Sequence, residues 1–239
     1  MGTGPWPGRP LTATRSLRSV LTGAAAAVAG LGLLAGCGSN SSPPRSASAT
    51  VTRMRSVVKA ARSVHLDGVL RSGGKAIGLN LGLTSSGGFA GTITENGVPL
   101  TLVDAGDKVY VKATAPFLAQ LRVPASACSI MCGKYVEMSG SQGDELAGNL
   151  NMSSLLASFT GRLPRFTDAG TTTVAGHAGQ VLLGPDGSRL VVAAAGPPYP
   201  LQAVARQGNG SLDFSQWNAV PRPVAPPAGQ VIDLSKLTG

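Results

Sequence analysis

The sequence predicts one α+β domain built around a curved antiparallel sheet. Three observations predict it. Short runs with period-two alternation, separated by Gly/Asn/Asp turns, fill residues 64–113 and again 171–214. Helical spacing occupies the stretch between these groups and one segment ahead of them. The 239 residues include 33 glycines and 17 prolines, with 43% hydrophobic, 4% aromatic and 13% charged residues, which suits strands and turns. That balance excludes a disordered polyelectrolyte, a collagen repeat and a coiled coil. Strands, central helices and strands again make an α+β arrangement.

The elements follow in order. Residues 1–18 hold Arg9, Arg15 and Arg18 and no acid, and residues 20–35 are uncharged. Sixteen residues are short for a bilayer span, which needs about 20, but suit the apolar core of a signal peptide. The run ends Leu34-Ala35-Gly36-Cys37, which resembles the bacterial lipobox. Residues 1–36 are therefore read as a lipoprotein signal peptide and Cys37 as the lipid-attachment residue. Small residues suit the peptidase, and a free thiol suits transfer of a diacylglyceryl group. Residues 37–49, rich in Ser, Asn and Pro, read as a flexible tether. The folded domain spans 50–239.

Residues 50–63 read as a helix, with Val51, Met54, Val58 and Ala61 on one face and Arg53, Arg55, Lys59 and Arg62 elsewhere. Strands are expected at 64–70, 76–83, 89–94, 98–103 and 108–113, with Asn96-Gly97 a hairpin turn. A short helix is expected at 116–121, a loop at 124–133, an extended piece at 135–138 and one helix over 144–156. Strands resume at 171–175, 179–183, 189–194, 201–207 and 211–214. Pro221, Pro223, Pro226 and Pro227 imply an extended tail over the surface.

With Cys37 assigned to lipid, Cys128 and Cys132 remain, and outside the cytoplasm an even remainder points to a structural disulfide. A metal site would need more ligands than these and the remote His65 and His177, so neither metal nor cofactor is expected. The sequence lacks a nucleophile elbow, a zinc-protease motif, a phosphate loop and a dinucleotide fingerprint. An enzyme is not expected. Past the signal peptide, 17 basic residues face 11 acidic ones. They are scattered and have few aromatics between them, so nucleic acid is not an expected partner.

Ile77, Leu79, Leu81 and Leu83 alternate on one strand face, joined by Leu100, Leu102, Val109 and Val111. Such a stripe either lines an apolar cavity or packs as a filled core. The chain resembles the actinobacterial LppX/LprG-type lipoproteins, which are related in architecture to the LolA-like carriers. The resemblance rests on the lipobox, the helix running into Ser63-Val64-His65, the strands GKAIGLNLGL and DAGDKVYVKA, the NMSSLLASF helix, and the closing LDFSQWNAVPRPVAPPAGQVIDL. It covers residues 50–237. It implies a half-barrel: a strongly curved antiparallel sheet, helices on its concave side, and an apolar cavity between them for acyl chains of membrane lipids or lipoglycans. It also implies lipid carriage across the envelope from the outer face of the cell membrane, with an efflux transporter as a partner. The competing reading is an envelope adaptor that binds another protein and no lipid.

Overall fold

The computed structural model describes residues 46–72, 74–105, 108–138 and 141–232. The chain divides into two compact units, 1–43 and 44–239. The segment expected to be a signal peptide, Cys37 and most of the expected tether lie outside the described residues. The second unit holds the whole described core, so a chain starting after Cys37 keeps every packed element.

Helix α1 (Ala47–Lys59) starts at an N-cap where Ser46 Oγ accepts the Ala49 N–H at 3.3 Å. It begins three residues earlier and ends four residues earlier than its apolar spacing predicts, because the chain turns at Ala60 and enters β1 at Ser63. Strands β1 (Ser63–Ser72), β2 (Lys75–Thr84), β3 (Phe89–Glu95), β4 (Val98–Asp104) and β5 (Val109–Lys112) form the expected meander. The β3–β4 turn has Asn96 and Gly97 both at positive φ, as a two-residue hairpin turn requires.

The centre departs from expectation in two places. The predicted loop at 124–133 contains a 3₁₀ turn (Ala125–Ala127) and a single helical turn, α3 (Cys128–Met131), after α2 (Ala115–Gln120). The single helix expected at 144–156 is two, α4 (Ser141–Asn149) and α5 (Met152–Thr160). Asn151 breaks it: its Oδ1 accepts the Ser154 N–H at 2.7 Å and caps a new helix instead of continuing the old one. Strand β6 (Tyr135–Met138) stands where expected, between α3 and α4.

The second meander is β7 (Thr167–Val174), β8 (His177–Leu183), β9 (Arg189–Ala193), β10 (Pro200–Val204) and β11 (Gly210–Ser215). β7 begins earlier than expected, through a bulge between Asp168 and Thr171. β10 stops at Val204, because residues 206–208 form a 3₁₀ turn with Gln207 at φ 54°. β1 pairs with β11, so both meanders join into one twelve-stranded sheet ordered β12-β6-β5-β4-β3-β2-β1-β11-β10-β9-β8-β7. The proline-rich tail forms no helix or strand over residues 221–227. It ends in β12 (Val231–Ile232), which pairs in parallel with β6 at the far edge, a pairing the sequence did not signal.

The sheet is strongly curved. Gly68 and Gly91 occupy concave-face register positions at φ 153° and 148°, and a Cβ at either would lie 2.1 Å from a carbonyl oxygen of the neighbouring strand. Glycine there lets β1 and β3 bend where other residues would hold them straighter. On the convex side a Cβ at Gly82 would meet Val220 Cγ1 at 2.6 Å, so the bare strand surface admits the tail. Gly78 and Gly82 thus face away from the aliphatic stripe, as the alternation predicts.

An apolar concave face that opens toward one rim

All eight stripe residues share the concave face, and the register sorts them into rows across the sheet. The first row is Val64, Leu83, Phe89, Asp104 and Val109. The next is Phe214, Leu66, Leu81, Gly91, Leu102, Val111 and Val136. The third is Leu212, Gly68, Leu79, Ile93 and Leu100, and the last pairs Leu70 with Ile77.

Burial falls steadily along these rows. Side chains of the first two rows are buried: Leu81, Leu83, Leu102, Val109 and Val111 belong to the main core. Leu79, Ile93, Leu100 and Leu212 are only half-buried against that core. Leu70 and Ile77 are exposed, at 39% and 37%. The filled-core reading therefore holds for part of the stripe, and the rest is incompletely covered. Five residues are filled core; Leu79, Leu100 and Ile77 lie where the concave face opens. Leu81, at 1% exposure, is a packing position and not an open surface.

The helices account for the gradient. α1 buries Met54 and Val58. Its Thr50 Oγ1 donates to Gln180 Oε1 at 2.6 Å, which fixes the helix to β8. α5 buries Met152 and Phe159, and the Phe159 ring meets Phe214 edge-on at 5.3 Å. One turn earlier, Leu155 and Leu156 remain half-buried. Arg55 ties the helices together: its Nη2 donates to the Gly161 carbonyl at 2.5 Å, at the C-terminal end of α5, where the helix dipole favours a cation. Its Nε is buried without a hydrogen-bond partner. Arg53, Lys59 and Arg62 are exposed.

Sequence reasoning missed Ile93, Leu212, Leu155 and Leu156. Ile93 carries a strand-alternation signal (Gly91, Ile93, Glu95), but neighbouring threonines mask it. Leu155 and Leu156 fall at the end of the single helix expected over 144–156, and that spacing does not tell which face of the sheet they approach.

The closing segment latches the sheet. Trp217 stacks on Tyr199 at 4.7 Å, and its Nε1 donates to the Pro200 carbonyl at 3.0 Å. Asn218 Oδ1 accepts the Arg62 N–H at 2.6 Å, beside the α1–β1 junction. Cys128 and Cys132 are joined by a disulfide, with Cα atoms 4.7 Å apart.

His65 lies on the convex face, within hydrogen-bonding distance of Asn80 Oδ1 (3.3 Å) and Ser215 Oγ (3.4 Å). Asn80 donates to Asp67 at 2.6 Å. These contacts link β11, β1 and β2, a structural use of the histidine. His177 is exposed where β8 leaves the hairpin turn. Among the described residues no group of three or more His, Cys, Asp or Glu is placed to hold a metal ion. No described helix is long and apolar enough to cross a membrane.

No family model and no curated protein matches the chain. Solved structures do. LprF from Mycobacterium bovis superposes with a TM-score of 0.51 at 14% identity, covering 74% of this chain and 95% of LprF. The lipoprotein LppX of Mycobacterium tuberculosis gives a TM-score of 0.46 at 16% identity, covering 72% and 95%. An uncharacterized conserved protein from Thermus thermophilus gives 0.36 at 12%, covering 78% and 98%. With its curved sheet and helices on the concave side, the chain has the fold of LprF.

Proposed function

We propose that this chain is an extracytoplasmic lipoprotein, anchored through Cys37, that binds acyl chains of membrane lipids or lipoglycans and carries them across the envelope. One observation carries the reading: between the buried Asp104 of the first row and Glu95 of the last, the concave face is aliphatic from row to row, and it loses its cover toward the Glu95 rim. Leu79, Ile93, Leu100 and Leu212 are left half-buried there, with Leu155 and Leu156 of α5 packed against the same core. An acyl chain laid on this surface gains about 0.8 kcal/mol for each methylene removed from water. The lipobox supports the anchor, and Cys37→Ala should leave an unprocessed or released protein. An efflux transporter as partner follows only from the family resemblance.

The test uses the chain starting after Cys37. Organic extraction of the purified protein followed by mass spectrometry should recover acyl lipid. Leu100→Trp should place a bulky ring on the half-covered surface and lower the lipid carried per protein, with circular dichroism unchanged. Wild-type protein that neither copurifies with nor takes up acyl lipid would replace this reading with that of an adaptor.

A further inference from the structure

Seven large hydrophobic side chains are exposed among the described residues, and four of them, Val69, Leu70, Ile77 and Leu183, lie at one end of the sheet. Leu70 and Ile77 are a cross-strand pair in the last concave row. Val69 and Leu183 share a convex row through Ser211, Val204 and Arg189. The turns at this end carry Arg71, Lys75, Arg189 and Arg206 against Glu95 and Asp186. Asp186 lies in the β8–β9 turn and Arg206 in the β10–β11 connection, both at this end of the sheet. Residues 69–71 and 74–77 are exposed throughout. This is also the end toward which the concave face opens.

We infer that this rim docks on an anionic membrane surface, with Val69, Leu70 and Ile77 entering the headgroup region and Arg71, Lys75 and Arg206 facing lipid phosphates. Two features select a bilayer. Apolar side chains flanked by excess basic ones match the apolar interior and negative surface of such a membrane. The exposed apolar residues also continue directly into the half-covered concave row, so docking joins the binding surface to the bilayer without leading an acyl chain through water. The inference rests on the lipid-carrying reading, but its test separates the two.

The chain starting after Cys37 is sedimented with phosphatidylcholine vesicles, with and without phosphatidylglycerol, at low and high salt. Wild type should bind the phosphatidylglycerol vesicles preferentially and lose binding in high salt. Arg71→Glu with Lys75→Glu should weaken binding by roughly 30-fold. Val69→Glu with Leu183→Glu changes only convex-face residues and should weaken it by about tenfold or more. Both pairs should keep the wild-type circular dichroism and the wild-type acyl lipid per protein. Equal binding to both vesicle types, or wild-type vesicle binding by both variant pairs, would overturn the inference while leaving the lipid-carrying reading untouched. Rim-dependent vesicle binding by a protein that never carries acyl lipid would keep the docking surface and remove the carrier function.

Discussion

Gly68 sits at the centre of the β1–β11 seam, opposite Leu212, where the two meanders join. Its φ is 153°, and a Cβ added there would lie 2.1 Å from the Ser211 carbonyl oxygen and 3.0 Å from the Leu212 Cα. Neither neighbour is the end of a flexible side chain, so Gly68→Ala must move backbone. The disfavoured backbone conformation costs about 1–2 kcal/mol. Separating the strands enough to clear the oxygen weakens the flanking ladder bonds, and losing two at about 1 kcal/mol each brings the total to about 3–4 kcal/mol. A domain of this size loses roughly 2–4 °C in Tm per kcal/mol, so the midpoint should fall by about 6–16 °C. Gly78→Ala is the matched control. Gly78 has an ordinary φ, and its nearest neighbour would be the Thr94 Cβ at 3.2 Å, so its cost should stay near or below 1 kcal/mol. Thermal and urea unfolding of the chain starting after Cys37, followed by circular dichroism, measure both. A Gly68→Ala midpoint within error of the Gly78→Ala midpoint would show that the seam does not depend on glycine.

Ala175 holds φ 47° in the two-residue β7–β8 turn, beside Gly176 at 81°. Ala175→Gly should therefore stabilise the domain by about 0.5–1 kcal/mol in the same urea assay, because a left-handed alanine is strained. Cys128→Ser with Cys132→Ser opens a very short loop, and chain entropy limits the loss to about 2 kcal/mol; thiol titration of the denatured, unreduced protein should find no free thiol. Hydrogen bonds from the Ser188 side chain and backbone hold the Asp186 carboxyl below its ordinary value of 3.8. A depressed folded pKa means the contribution is present above 3.8 and is lost as pH falls through the lower folded value. Asp186→Asn should remove a small acid-side slope in stability, reduced by the exposure of the site, that wild type shows below that pH.

Most strands were legible because each reports its own environment. Alternation at 77, 79, 81 and 83 reads as one buried face, and Asn96-Gly97 reads as a turn through local backbone sterics alone. The aliphatic stripe was legible for the same reason, and all eight residues do share a face. Their division into packed core and open surface was not legible. Leu81 and Leu79 have the same side chain on the same strand, and differ only in lying one row apart. What separates them is cover on the concave side, a relation between distant segments that period-two alternation does not encode. The β12–β6 pairing escaped notice likewise, since two residues of strand after four prolines carry no periodicity. The helix break at Asn151 was visible as a residue type, because Asn caps helices, but the leucine spacing across it outweighed that signal.

Curvature and the bare stretches of the concave face have a common origin in this sheet. Gly68 and Gly91 bend β1 and β3 and, at the same register positions, leave the concave face without side chains. Gly68 belongs to the half-covered row and Gly91 to the buried row beneath it. A larger residue at either position would therefore straighten a strand and crowd the interior together. Stability and interior space respond to a single substitution there, whereas Leu100, on a strand of ordinary geometry, changes the surface alone. The closed end works in the opposite sense. Val64, Leu83, Phe89 and Val109 are fully packed in the core, and Trp217 and Asn218 latch the chain to Pro200 and Arg62. The exposed rim can then meet a membrane or admit an acyl chain without loosening the packing on which the curvature depends.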